Sequence, residues 1–587
     1  MISQALTDAP WLLSLAIPLL LAAALSVRTL RPPVLALAPL AALPALGLAL
    51  FAGPGSGAQF PWLLLGASFG LTTTTRVFLL FTTLLWTIAG LYAHSYARGD
   101  EKRHRFFAFY LVTMTGNLGL IMARDLASFY LLFTLMSLTA YGLVAHDGTG
   151  RARYAANVYL ILAVIGEAFV LPAVLLAAAA DPAGLGDVAR SVAASPHRDA
   201  IILLVLLGFG VKAGAIVLHV WLPLAHPAAP TPASAVLSGA MIKAGLLGWL
   251  LFLPLGEAGL AGWGTVILVA GLLAAFFGVA VGLTQENPKT VLAYSSISQM
   301  GFMTVAVGAG LFDPETWPIA LAAILVYATH HALAKGALFL GVGVAQETDG
   351  SRRRRQRLLV VAGLLLASLA IAAAPLTSGA AAKAYLKPAV ELTPYYGVLS
   401  SLLDFAAVGS ALIMARFMLF VWPRAGTKEG GAEAGLWVPW LASVGGVAAL
   451  ILFLPDPIAA LPRLVVSVSA LWPVALGTLL AVGAWLLNRR SDGKLRARFE
   501  PKIPEGDLIV PMSGLLGRIR SGWKERLAPA WGGLMEGLGS RGKRFGSDLG
   551  RLQSAASGAE ARIRYWTVAG SLFALLVAAL LVLSALT

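Results

Sequence analysis

The chain has no cysteine among its 587 residues. That absence excludes disulfides, thiolate-ligated iron–sulfur clusters and cysteine nucleophiles within it. Any cofactor-borne redox chemistry coupled to it belongs to partner chains. Charge is scarce as well. Asp, Glu, Lys and Arg make up 12% of the residues against 58% hydrophobic, and a soluble protein of that composition would have too little polar surface to stay dissolved. There is no metal-ligand spacing, no phosphate-cradling glycine loop and no nucleophile with an adjacent base. The formal charge of +15 is placed as membrane topology requires, not as a nucleic-acid patch.

What the chain does have is apolar runs of about 20 residues, repeated along its length, which makes it an all-α polytopic membrane protein with about sixteen transmembrane helices. The first run, Pro10 to Val27, has only Asp8 before it and no basic leader, so it reads as a span and not as a signal peptide. Lys and Arg collect in alternate loops, at 98–105, 151–153 and 352–357, while loops 53–73, 254–262 and 310–317 carry almost none. The positive-inside rule puts the basic loops in the cytoplasm of a bacterial-type inner membrane, and an even number of spans puts both termini outside. Segment 489–564 holds 16 basic and 8 acidic residues, a net +8. Leu516, Ile519, Trp523 and Leu527 follow helical spacing there, as do Phe545, Leu549 and Leu552. This reads as a broken amphipathic helix on the cytoplasmic face, leading to a last span from Trp566 to Ala585.

Four lysines sit inside or at the edge of apolar runs: Lys212, Lys243, Lys335 and Lys383. An ammonium near the bilayer centre costs about 3 kcal/mol on insertion scales, so such residues face a protein interior or a water-filled path. Lys383 and Lys387 have the alternative of snorkelling to the headgroups, with Lys387 placed in the loop. Two of the runs are interrupted. Pro223, Pro227, Pro230 and Pro232 follow Lys212, and Pro375 and Gly379 precede Lys383. Broken helices survive at membrane depth where the freed carbonyls meet protein or water. Two breaks about five spans apart are the pattern of two inverted five-helix repeats. One acid, Glu167, lies mid-span among apolar neighbours.

The segments that carry a resemblance are His219-Val-Trp-Leu-Pro-Leu-Ala-His-Pro-Ala-Ala-Pro-Thr-Pro-Ala-Ser-Ala-Val-Leu-Ser-Gly239 with Lys243, Leu292-Ala-Tyr-Ser-Ser-Ile-Ser-Gln-Met-Gly301, and His331-Ala-Leu-Ala-Lys335. They resemble the antiporter-like, proton-translocating membrane subunits of respiratory complex I, membrane-bound hydrogenases, formate hydrogenlyases and Mrp-type cation/proton antiporters, in the long form with a lateral helix. The resemblance implies a division into residues 1–104, a first half-channel at 105–255, a second at 256–422, two further helices at 423–488, the lateral segment at 489–562 and a terminal anchor at 563–587. It also implies roles. Lys212 matches the lysine of the first broken helix, Lys243, His331 and Lys335 match the central polar axis, and Lys383 matches the lysine of the second break. A lysine held out of water gives up its proton more readily, which suits a relay. Two departures stand out. Thr134 occupies the place of the family's glutamate in the fifth span, so Glu167 on the next span is the expected replacement partner of Lys212. Tyr327 stands where some members have a histidine. His330, about 100° from His331 on a helix, is left a packing or capping role. His219 and His226 could contact the broken backbone.

The function implied is a proton- or sodium-translocating subunit of an energy-converting complex, relaying charge along Glu167, Lys212, Lys243, His331, Lys335 and Lys383. Its expected partners are other membrane subunits, soluble redox subunits on the cytoplasmic side and the lipid bilayer, with no nucleic acid. No cofactor is expected in this chain; iron–sulfur or other redox centres belong to those partners. Two other readings stay open. One is an Mrp-type antiporter subunit or an ion-coupled module for another solute such as inorganic carbon. The other is a structural subunit that has lost conduction, for which Thr134 is the motive.

Overall fold

The computed structural model describes residues 2–180, 182–427, 431–453, 468–490 and 503–508. Thirteen helices among them are long and apolar enough to cross a bilayer, and Asp8–Ala24 forms a shorter apolar one. The expected crossing near residue 211 is split between two helices, each too short to cross alone. The expected last span, and nearly all of the lateral segment, lie outside the described residues.

The helices that concern the site are α1 (Ile2–Ala24), α2 (Arg31–Leu37), α3 (Leu43–Phe51), α4 (Thr73–Tyr96), α5 (Arg103–Met122), α6 (Leu126–Val144) and α7 (Gly150–Ala178). The short α8 (Val188–Ala194) is followed by α9 (Arg198–Ala213), α10 (Trp221–Ala228), α11 (Thr231–Val236) and α12 (Ile242–Phe252). Then come α13 (Ala261–Gly282), α14 (Pro288–Phe312), α15 (Trp317–Thr348), α16 (Arg354–Ala372), α17 (Ser378–Glu391), α18 (Tyr396–Val421) and α19 (Ala434–Ala449). A final described helix spans Val468–Arg490. Loop 53–73, which shows no periodicity, folds into a two-stranded antiparallel hairpin, β1 (Gly57–Phe60) on β2 (Ala67–Gly70). Asp125, the N-cap of α6, also accepts from Ser68 N at 2.9 Å and so ties the hairpin to the bundle.

Among the described residues, bonds between loops and neighbouring helix ends fall into two sets. On one side Arg98 pairs with Glu433, Lys289 Nζ donates to Ala229 O, Arg416 Nε donates to Gln285 O, and Gly350 N donates to Arg424 O. On the other, Arg124 N donates to Ser68 O, Leu185 N to Arg124 O, and Leu260 N to Leu311 O. The first set joins the loops after α4, α10, α13, α15 and α18, and the second joins the loops after the intervening crossings. The basic loops 98–105 and 352–357 therefore share one face of the molecule.

The two halves use the same order of neighbours. Helix α5 packs on α6, α6 on α7, α7 on both α9 and α10, and α9 on α12; likewise α13 packs on α14, α14 on α15, α15 on both α16 and α17, and α16 on α18. Their breaks are built alike too. Helix α9 ends with Ala215 N donating to Gly210 O at 2.9 Å, and α16 ends with Ala374 N donating to Leu369 O at 2.9 Å. Each is the six-residue loop that closes a helix through a left-handed residue. Those residues are Gly214 (φ 68°) and Ala373 (φ 62°), and each break repeats the conformation three residues on, at Val217 (φ 72°) and Leu376 (φ 62°). Three of these four are not glycine, and each such residue costs about 1–2 kcal/mol, so the surrounding structure must hold them there.

Close packing follows from small residues. A Cβ on Gly301 would stand 2.5 Å from Gly271 O, so α13 and α14 touch backbone to backbone. A Cβ on Gly166 would meet Gly208 O at 3.2 Å, which sets the crossing of α7 on α9. That second crossing brings Glu167 and Lys212 to one spot.

Candidate functional site

The first break delivers Lys212 two residues before its turn. Helix α9 leaves its last carbonyls without helical partners, and Trp221, the first residue of α10, takes one: its Nε1 donates to Val211 O at 2.7 Å. Ser234 Oγ takes the carbonyl of His226 at 2.9 Å. These two residues cap the broken backbone. The histidines do not: His226 stacks on Phe339 at 4.6 Å and His219 bonds a carboxylate described below.

Lys212 is 4% exposed and Lys243 1%, while Lys335 and His331 are wholly enclosed, so none of the three lysines snorkels. Lys212 Nζ donates to Tyr159 Oη at 2.8 Å and lies 5.0 Å from that ring's centre, with Trp221 beyond it at 5.9 Å. Tyr159 in turn donates to Ser137 O at 2.6 Å. Glu167 is buried, and Thr134 Oγ1 donates to its Oε2 at 2.7 Å. The residue that stands where a carboxylate was expected thus positions the carboxylate of the next helix. Glu167, Lys212, Tyr159, Ser137 and Trp221 line one cavity of about 10 Å³ of space open to a water's centre, about what a single water needs. Glu167 and Lys212 share that cavity without a direct ion pair, and Glu167 Oε1 has no protein partner.

The central lysines are linked by a file of side chains that passes through both the carbonyl and the hydroxyl of Ser238 and through the carbonyl of Leu292. Between α11 and α12 the chain makes a π turn over Leu237–Met241, and Lys243 Nζ donates to Ser238 O within it at 2.8 Å. Ser238 Oγ meets Ser296 Oγ at 2.8 Å, and Ser296 Oγ donates to Leu292 O at 3.0 Å. Lys335 Nζ donates to that same carbonyl at 2.9 Å and to Ser295 Oγ at 2.8 Å. Lys335, His331 and Tyr327 fall on one face of α15 at four-residue steps. Lys335 reaches Ser295 and Tyr327 Oη donates to Gln299 Oε1 at 2.8 Å, so two rungs join α15 to α14. His331 lies between the rungs, and neither of its ring nitrogens has a protein partner. His330 points elsewhere, its Nδ1 2.9 Å from Ser378 Oγ at the start of α17.

Gln299 continues the file. Its Nε2 donates to Ser410 Oγ at 3.1 Å, and Lys383 Nζ donates to the same oxygen at 3.3 Å while lying 4.7 Å from the Phe302 ring. Lys383 is therefore held inside the bundle. Lys387 is in α17 and not in a loop; its Nζ bonds Asp404 Oδ2 at 2.9 Å. Lys383, Lys387, Asp404 and Glu391 line a second cavity of about 230 Å³, roughly twenty times the first. Arg416, on the same helix as Asp404, donates to Gln285 O at 2.9 Å and lies over Phe420 at 4.6 Å.

Helix α14 is the common member, with Ser295, Ser296 and Gln299 carrying the bonds. Tyr159, Gln299 and Ser410 were not singled out as relay residues from sequence. Gln299 had a signal: it stands four residues after Ser295, on the same helical face, in a serine-rich stretch of a span. Among the described residues no direct bond joins the Lys212 group to the Lys243–Lys335 file.

Residues 123–405 match the NADH:quinone oxidoreductase/Mrp antiporter transmembrane family. That stretch contains every residue of the two breaks and the file except Ser410 of the last link. Within it the family resemblance read from the motifs holds. The chain is 33% identical over 321 residues to hydrogenase-4 component B of Escherichia coli, which covers 51% of this chain and 47% of that one. It is 30% identical over 354 residues to a probable K(+)/H(+) antiporter subunit of Rhizobium meliloti, covering 54% and 34%. The chain thus matches half the length or less of these curated relatives. Two solved structures share the fold. An Mrp complex from a Dietzia species has a TM-score of 0.69 at 23% identity, covering 94% of this chain and 63% of that chain. An archaeal membrane-bound sulfane sulfur reductase complex has a TM-score of 0.62 at 21% identity, covering 80% and 98%.

Proposed function

We propose that the chain is a proton-translocating subunit of a multisubunit membrane complex, and that Lys212, Lys243, Lys335 and Lys383 carry the charge. One observation supports this above others: Lys335 bonds α14 directly, while Lys243 and Lys383 bond Ser238 and Ser410, whose hydroxyls in turn bond Ser296 and Gln299 of that helix. The carbonyls only hold these ammoniums in place, whereas the serine hydroxyls beside them can both accept and donate a proton. His331 would bridge the gap between the two rungs, and Glu167 beside Lys212 would feed the first half, each through water. Residues 105–255 and 256–422 would each form one half-channel. Water entering at Glu167 and at the Lys387–Asp404 cavity would complete the path. Each added charge repels its neighbour, so a proton taken up at one end drives release at the other.

Energy would come from redox centres in partner subunits on the face bearing the basic loops, which the positive-inside rule puts in the cytoplasm of a bacterial-type inner membrane. The likeness to hydrogenase-4 component B supports a redox partner. The likeness to the Rhizobium antiporter protein supports a second reading, exchange of a cation for protons without redox chemistry.

The test is proton uptake by liposomes holding the assembled complex. Lys335→Ala should lower flux about a hundredfold, as loss of a proton-transfer group does. Unchanged flux in an assembled Lys335→Ala complex would leave only a structural role. Flux that requires sodium or potassium on the opposite side, and no electron donor, would select the antiporter reading.

A further inference from the structure

The described residues include one short acidic turn, 503–508, from the long basic region that follows the helix Val468–Arg490, and it is inserted into the bundle. Gln285 Nε2 donates to Ile503 O at 3.0 Å. Glu505 is held by Arg151 Nη2 at 2.5 Å and by Thr290 Oγ1 at 3.0 Å. Gly506, at φ +83°, lies against Leu224 of α10, and a Cβ there would be 3.0 Å from that side chain. The turn therefore grips α7, α10, the α13–α14 loop and α14 at once.

Asp507 goes deepest. Its side chain is 4% exposed and meets a histidine that is 0% exposed: Asp507 Oδ2 is 3.1 Å from His219 Nε2. The same oxygen accepts from Tyr294 Oη at 2.9 Å. His219 lies in the first break, seven residues after Lys212, and packs its ring on Phe277 at 5.1 Å. Its Nδ1 has no protein partner. Tyr294 immediately precedes Ser295, which holds Lys335. The carboxylate thus touches the break of one half and the shared helix of the other.

A strap needs only the exposed clamp of Arg151 and Glu505. Taking a carboxylate out of water costs several kcal/mol and is weak as a source of stability, so the placement of Asp507 asks for another reason. We propose that His219 and Asp507 form a proton-receiving pair at the junction of the two halves, with the counter-charge supplied by the region beyond Val468–Arg490. Nε2 keeps its proton, donated to Asp507, which stays ionised as the counter-charge, and Nδ1 takes up the proton arriving from the basic-loop face and then gives it up inward. The inference rests on the translocation reading above and adds to it a residue 288 positions away from His219 in the chain.

The experiment uses the full chain in its complex, reconstituted in liposomes, with Lys335→Ala as reference. Asp507→Asn is expected to lower proton flux at least tenfold with the complex intact, and Asp507→Glu to restore more than half of it. A structural contact would not separate these two variants in that order, because the longer side chain fits the site less well than the isosteric amide. Equal flux in Asp507→Asn and the unaltered protein, with Lys335→Ala inactive, overturns the pair and leaves the translocation reading standing. If Lys335→Ala is fully active, both fall. If Asp507→Asn does not assemble, His219→Gln reads the same step: full flux there overturns the proposal, and loss of flux with Asp507→Glu active supports it.

Discussion

The two breaks share a backbone and differ in everything attached to it. In the first, Lys212 precedes the turn, is roofed by Tyr159 and Trp221, and shares with Glu167 a cavity of about 10 Å³. In the second, Lys383 follows the turn, meets a hydroxyl and an aromatic face, and opens on about 230 Å³ with an ion pair at its wall. The repeated turn provides left-handed residues and freed carbonyls. The side chains then make one end tight and the other roomy, with an ion pair at its wall. A carboxylate is accordingly worth most where there is least water to replace it.

The comparison is most exposed at Glu167. Glu167→Gln should lower proton flux about a hundredfold, whereas Asp404→Asn in the roomier half should change it by less than about threefold; similar losses in liposome assays would erase the contrast. Moving the carboxylate back one helix sharpens it further. Thr134→Glu with Glu167→Thr should recover flux lost by Glu167→Thr alone, since the two side chains already touch at 2.7 Å.

Gln299→Leu comes next. It cuts the link between Ser410 and Tyr327 and leaves the Lys212 group untouched. Flux should fall about tenfold, equivalent to about 1.4 kcal/mol on the limiting step, while the complex still assembles.

The breaks themselves can be compared by stability. A Cβ on Gly379 would stand 1.8 Å from Ala370 O, a backbone atom, whereas on Gly214 it would meet the side chain of Leu222 at 2.3 Å. Gly379→Ala should cost more than about 3 kcal/mol, and Gly214→Ala about 1–2 kcal/mol from its left-handed conformation. Thermal unfolding of the solubilised complex ranks them. The smallest effect belongs to the Lys387–Asp404 pair, whose side chains are 30% and 20% exposed. Asp404→Asn should cost about 1 kcal/mol or less, diminishing with salt.

Where sequence was enough, the signal was local. Proline and glycine marked both breaks, apolar periodicity gave the crossings, and isolated charges in apolar runs marked Lys212, Lys243, Lys335, Lys383 and Glu167. The partners of those charges were not local. Tyr159 reaches Lys212 across 53 positions, and Gln299 reaches Ser410 across 111. A tyrosine or serine inside a span carries no mark that separates a relay partner from one that bonds its own helix, as Thr304 and Thr115 do. Lys387 was misplaced for a related reason. Pro388 beside it reads as a helix stop, yet α17 runs through it to Glu391.

The π turn at Leu237–Met241 has a consequence for how such a protein can change over time. One extra residue in a helical turn rotates everything beyond it by about 100°. Lys243 owes its hold on the carbonyl five residues back to that offset. Removing a single residue between Ser238 and Ile242 would swing the ammonium toward a different neighbour while leaving the span apolar and of sufficient length. Insertions and deletions in this one turn are therefore a steering adjustment, able to disconnect or reconnect the charge without altering any charged residue.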